Sequence, residues 1–144
     1  MTHHTFILFP RPLHSYVALI EKAFAKLYGS YATLGQGGFC DVALAALTGG
    51  VGDSIFFSDA ATRSSLLDGT LYSRLTSLLA RGNILCCASQ EGSDDTVLGG
   101  VVQGHAYALL DLREVRHPRT GKKVQLAKLA NPWYVDVDIS VSIQ

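Results

Sequence analysis

The chemistry-bearing pair of this sequence is a histidine and an asparagine at the ends of two converging strands. Residues Gly104 to Val115 and Lys122 to Asn131 read as strands flanking His117-Pro118-Arg119-Thr120-Gly121, a turn whose proline and glycine suit a long hairpin loop. Alternation puts His105, Tyr107 and Leu109 on one face of the first strand. His105 and Asn131 are equidistant from residue 118, inside that turn, so antiparallel pairing makes them neighbours to within a register error of a few residues. Opposed residues have Cβ atoms about 4.5–5.5 Å apart, diagonal ones about 7–8 Å. An asparagine carbonyl beside an imidazole can accept the Nδ1–H, fixing the tautomer that leaves Nε2 to take a proton from a nucleophile. This is the histidine–asparagine half of a site that activates a thiol. The same spacing serves equally a half-buried histidine and a turn asparagine before Pro132. Trp133 fits either a core position or an indole that shields an Asn–His hydrogen bond from water.

Other candidates are weaker. Of the three cysteines, Cys86 and Cys87 are adjacent and Cys40 stands apart, so they form neither a paired disulfide framework nor a CxxC zinc spacing. A reducing, cytoplasmic compartment is expected. Cys86 and Cys87 lie in the apolar run Ile84 to Ala88, where cysteines are usually inert core residues. His3 and His4 read as solvated residues of the terminus.

The elements that must position the pair follow from pattern. A chain of 144 residues makes one domain or one lobe of a larger one. Twelve Lys+Arg balance twelve Asp+Glu, which removes the electrostatic footprint of nucleic-acid binding. No apolar window is long enough for a membrane span. Hydrophobic residues make up 48% and mean hydropathy is +0.22, enough for a core with some apolar face left over. Ser15 can cap a helix whose apolar positions Tyr16, Leu19, Ile20, Ala23, Phe24 and Leu27 recur at three and four, ended by Gly29. Tyr31 to Gly38 is turn-rich, and a short helix runs from Asp41 until Thr48-Gly49-Gly50 stops it. Asp68-Gly69 marks a turn, Thr70 is the cap, and Leu71, Leu75, Leu78 and Leu79 form the stripe of a third helix closed by Gly82. Ile84 to Ala88 has strand length, Gln90 to Thr96 is a polar loop, and Val135 to Ile143 alternates as a strand with one wet face. Helices first and strands afterwards predict an α+β fold, with N-terminal helices packed on an antiparallel β-sheet.

Four motifs stand in order along the chain: Glu21-Lys22-Ala23-Phe24-Ala25-Lys26-Leu27-Tyr28-Gly29-Ser30-Tyr31, then Ala43-Leu44 with Leu47-Thr48-Gly49-Gly50, then Gly104-His105-Ala106-Tyr107, and Asn131-Pro132-Trp133. In that order and at those intervals they resemble the second half of the calpain catalytic core. The resemblance covers roughly Ser15 to Trp133, and four ordered motifs are far more specific than any one. It implies half of a papain-like cysteine protease fold. By the same resemblance the activity is that of a calcium-dependent cysteine endopeptidase of the cytoplasm acting on proteins or peptides. His105 becomes the general acid/base, Asn131 its orienter and Trp133 the flanking tryptophan. Residues 15–144 are then the His/Asn subdomain of a calpain catalytic domain, and residues 1–14 a segment without a counterpart.

The departures carry expectations too. In the family the nucleophile sits in a preceding lobe, in a Gln…Gly-Asp-Cys-Trp motif at a helix start, where the dipole favours thiolate. Gln36-Gly37-Gly38-Phe39-Cys40 imitates it only superficially, because the cysteine follows the glutamine too closely and Asp41 stands where the tryptophan belongs. Tyr134 replaces a glycine. Asp136 and Asp138 are two carboxylates where calcium wants about six to eight oxygens, so they read as a solvated strand face and no complete calcium site is expected. The chain is therefore expected to be inactive alone, with a cysteine-bearing lobe on another chain as a partner that would complete it. The alternative is a non-catalytic calpain-homologous module that binds a protein or peptide, with the strand after Trp133 as a docking edge.

Overall fold

The structure is a computed structural model that describes residues 15–93, 95–132 and 138–143. The chain divides between Gly52 and Asp53 into two compact units. In the first, α1 spans Ser15–Leu27. Gly29, at φ 97°, lets the chain leave the helix. Of the expected stripe, Phe24 stacks on Tyr28 at 6.1 Å, whereas Tyr16, Leu19 and Leu27 are exposed. Part of the turn-rich stretch is instead helical, α2 (Tyr31–Leu34). The cause is local: Ser30 is extended and its Oγ accepts the N–H of Thr33 at 3.1 Å, which caps one turn. The next helix, α3 (Cys40–Thr48), starts one residue before Asp41 and ends on left-handed Gly49, as the Thr48-Gly49-Gly50 stop requires.

The second unit holds the sheet. Its first helix, α4 (Ala60–Leu67), has no counterpart in the periodicity, because AATRSSLL presents no continuous apolar stripe. Then α5 (Thr70–Ala80) follows the expected boundaries, but the N-cap is Gly69 and not Thr70, and Asp68 just before it bonds the first turn. Asp68 Oδ1 accepts the Thr70 N–H at 2.8 Å and its hydroxyl at 2.6 Å across Gly69. Those two bonds, the hydroxyl's first, hold the Asp68 carboxyl below its ordinary value of 3.8.

Among the described residues six strands follow: β1 (Leu85–Ala88), β2 (Val97–Leu98), β3 (Val101–Val102), β4 (Ala106–Arg116), β5 (Lys123–Ala130) and β6 (Asp138–Ile143). β2 and β3 form a small ribbon turned by Gly99 and Gly100, both at positive φ, the backbone a two-residue hairpin of this twist demands. The other four make an antiparallel sheet in the order β1-β4-β5-β6. Of the expected last strand, residues 138–143 pair with β5, while 135–137 lie outside the described residues. The β4–β5 turn is organised by His117, whose Nδ1 accepts the N–H groups of Arg119 and Thr120 and whose own N–H reaches Lys122 O.

The core lies on one face of the sheet. Tyr107, Leu112, Ala127 and Leu129 are buried with Val102, and Tyr72, Leu75 and Leu79 of α5 pack against them. Full burial of a leucine or valine such as Leu112, Leu129 or Val102 contributes about 1.5–3 kcal/mol. An extra residue in β4 keeps this face continuous: Leu109 pairs Leu129, yet Asp111 pairs Lys128, so Leu110 bulges out and is exposed. Tyr107 and Leu109 before the bulge and Leu112 after it thereby share one side. The arrangement is α+β, with α5 laid on an antiparallel sheet.

Candidate active site

Three adjacent strands end together at one end of the sheet. Ser89 follows β1, His105 precedes β4 and Asn131 follows β5. The chain reaches His105 through Gly104, which a side chain could not replace. Gly104 has φ +62°, and a Cβ there would lie 2.5 Å from Gly92 O. Its N–H bonds Gln90 O at 2.7 Å.

His105 Nε2 and Asn131 Oδ1 are 2.8 Å apart, both residues half-buried. A carboxamide oxygen only accepts, so Nε2 carries the hydrogen and in the neutral ring Nδ1 is the basic nitrogen. This corrects the expected tautomer, in which Nδ1–H met the asparagine. The two residues are neighbours within the expected register margin. Ala108 pairs Ala130, so the next step sets Asn131 beside Tyr107, and it reaches His105 along a diagonal. Both side chains stay on the core face. The Tyr107 ring stands edge-on to the imidazole at 5.0 Å and 85°. Tyr107 is itself 2% exposed and its hydroxyl accepts the Val102 N–H at 2.8 Å.

Trp133 lies outside the described residues, as does Asp136. Cys87 packs against the core beside Tyr107, whereas Cys86 points outward and is exposed, which corrects the expectation that both are core. Cys40 opens α3 in the first unit. Among the described residues, no three His, Cys, Asp or Glu side chains are grouped to hold a metal ion. No helix among them is long and apolar enough to cross a membrane. Sequence reasoning missed Ser89, which fell between an expected strand and an expected loop. Only the β1–β4 pairing brings it beside His105.

Comparison with known proteins defines the class. The calpain family cysteine protease profile matches residues 3–138, and the chain belongs to that family. Its α+β arrangement is compatible with half of a papain-like cysteine protease fold. It is 41% identical over 124 residues to the calpain-type cysteine protease DEK1 of Arabidopsis thaliana, covering 85% of this chain and 5% of that protein. Human calpain-9 is 33% identical over 120 residues, 81% of this chain and 16% of that protein. Mouse calpain-5 is 34% identical over 128 residues, 81% of this chain and 20% of that protein. The chain thus spans from 5% to 20% of the length of these relatives.

Proposed function

We propose that this chain carries the acid–base half of a calpain-type thiol peptidase site, cleaving proteins or peptides once a cysteine-bearing lobe faces it. The observation that supports this reading is the 2.8 Å contact between His105 Nε2 and Asn131 Oδ1. His105 Nδ1 takes the thiol proton as sulfur attacks the scissile carbonyl carbon. The same nitrogen then delivers that proton to the leaving amine. Water, deprotonated by His105, hydrolyses the remaining thioester and releases the acid and the thiol. Asn131 keeps the ring in one tautomer through both halves, and to Trp133 we assign, from the family resemblance alone, the shielding of that hydrogen bond from water. The thiol comes from outside these 144 residues, on the same longer polypeptide or on a second chain, because none of the three cysteines stands in a Gln…Gly-Asp-Cys-Trp frame. Calcium dependence is carried over from the family resemblance. An odd cysteine count suits a reducing compartment, and we place the chain in the cytoplasm on that ground.

Mixing the chain with a cysteine-bearing calpain lobe and following cleavage of an unstructured protein tests the reading. Cleavage is expected, and His105→Ala abolishes it. Saturable peptide binding with no cleavage under any calcium concentration would replace the peptidase reading with a binding module.

A further inference from the structure

We propose that Ser89 is a positioning residue for His105, which holds the imidazole by gripping the backbone beneath it. The inference deepens the acid–base reading of His105 and rests on it for its catalytic consequence.

In a regular antiparallel ladder, every second pair of directly opposed residues exchanges both backbone hydrogen bonds, and the Ser89 N–H to His105 O bond marks these two residues as such a pair. The β1–β4 pairing, continued one step past Ala88 and Ala106, sets Ser89 opposite His105. Only half of that exchange is made by backbone. Ser89 N–H donates to His105 O at 2.9 Å, but the His105 N–H donates at 2.9 Å to Ser89 Oγ. The hydroxyl hydrogen in turn goes to His105 O at 3.1 Å. One hydroxyl therefore accepts from the amide and donates to the carbonyl of the same residue, within its capacity of one donor and two lone pairs. The side chain stands in for the carbonyl of a strand that is already turning into the loop.

The need for such a grip follows from where His105 sits. It lies outside β4 proper, directly after left-handed Gly104, so the sheet alone does not fix it. Asn131 and Tyr107 constrain the ring, and Ser89 constrains the backbone that carries it. A base that must meet a thiol within a few tenths of an ångström requires both.

The test compares Ser89→Ala, Ser89→Cys and Ser89→Thr, with His105→Ala as reference. In the 144-residue chain labelled with ¹⁵N-histidine, ring spectra report the tautomer of His105. The wild type and Ser89→Thr are expected to show the Nε2–H form alone, while Ser89→Ala and Ser89→Cys show mixed tautomers. Unchanged far-UV circular dichroism confirms that the variants are folded. Paired with a cysteine-bearing lobe, Ser89→Ala is expected to lower kcat by about ten- to a hundred-fold at constant KM, with Thr restoring it. A folded Ser89→Ala or Ser89→Cys chain with a pure Nε2–H ring overturns the positioning role. Should Ser89→Ala fail to fold, the cysteine variant, which keeps the volume but weakens the hydrogen bonds, decides alone. Retention of cleavage by His105→Ala would instead overturn the acid–base reading, and the ring spectra separate the two failures.

Discussion

Asn131 holds His105 from a diagonal position: its register neighbour on β4 is Tyr107, and its Oδ1 still comes within 2.8 Å of the imidazole Nε2. The relation depends on the Leu110 bulge. If the outer pairing of Asp111 with Lys128 ran on without it, Asn131 would fall opposite Ala108 and on the other face from His105.

The bond itself should be worth most of the pair's catalytic use. Asn131→Ala leaves the ring free to choose either tautomer, and cleavage by the completed site is expected to fall by about a hundred-fold or more. Asn131→Gln keeps the carboxamide but moves its oxygen by one methylene, so its rate should lie between the two. Equal rates for Ala and wild type would remove Asn131 from the mechanism.

Deleting Leu110 should be harmless to the pair. Without that residue Leu109 and Asp111 become consecutive, and they already face consecutive partners, Leu129 and Lys128. The ring tautomer seen by ¹⁵N spectra is expected to be that of the wild type. A changed tautomer would mean that the bulge aims the histidine directly and does more than absorb an extra residue.

Gly104→Ala should destabilise the second unit. A left-handed backbone costs an ordinary residue about 1–2 kcal/mol. The added methyl also meets Gly92 O at 2.5 Å, which is backbone and cannot rotate away. Urea unfolding is expected to show a loss of more than about 2 kcal/mol.

Tyr107→Phe keeps the ring against the core and removes the acceptor of the Val102 N–H. An unsatisfied buried donor costs about 1–3 kcal/mol. Faster amide exchange at Val102, with the edge contact to His105 retained, is the expected signature.

Acid should loosen the α4–α5 junction. Asp68 is held below its ordinary value by the Thr70 hydroxyl and N–H. A folded-state value below the unfolded one stabilises fully above the unfolded value, and the contribution is lost as pH falls through the folded one. Asp68→Asn should therefore lower the melting temperature at about pH 6, and the gap to wild type should close towards about pH 2.

Much of the scaffold was written in local signals. Gly49 and Gly82 stop their helices, and the leucine stripe of α5 meets the sheet as its spacing requires. The His105–Asn131 proximity was legible because a hairpin is the one long-range contact that sequence distance measures. What stayed hidden depends on pairing or on short-range polar bonds. Ser30 folding one turn of helix and Asp68 bonding Thr70 across a glycine are side-chain bonds invisible to hydrophobic period. The register that sets Asn131 diagonal to His105 depends on a bulge no residue type announces. Ser89 needed the β1–β4 pairing, which joins segments with a separate ribbon between them.

The self-contained His117 turn closes the far end of the same two strands. With 11 residues in β4 at about 3.3 Å each, roughly 35 Å separates it from His105. The turn's bonds run among its own residues and to the flanking Arg116 and Lys122, so grafting an epitope or a fluorophore between Pro118 and Thr120 is expected to perturb only the turn and the strand ends beside it. The far tip is thus the place to attach a reporter, and the place where drift between species is cheapest to tolerate.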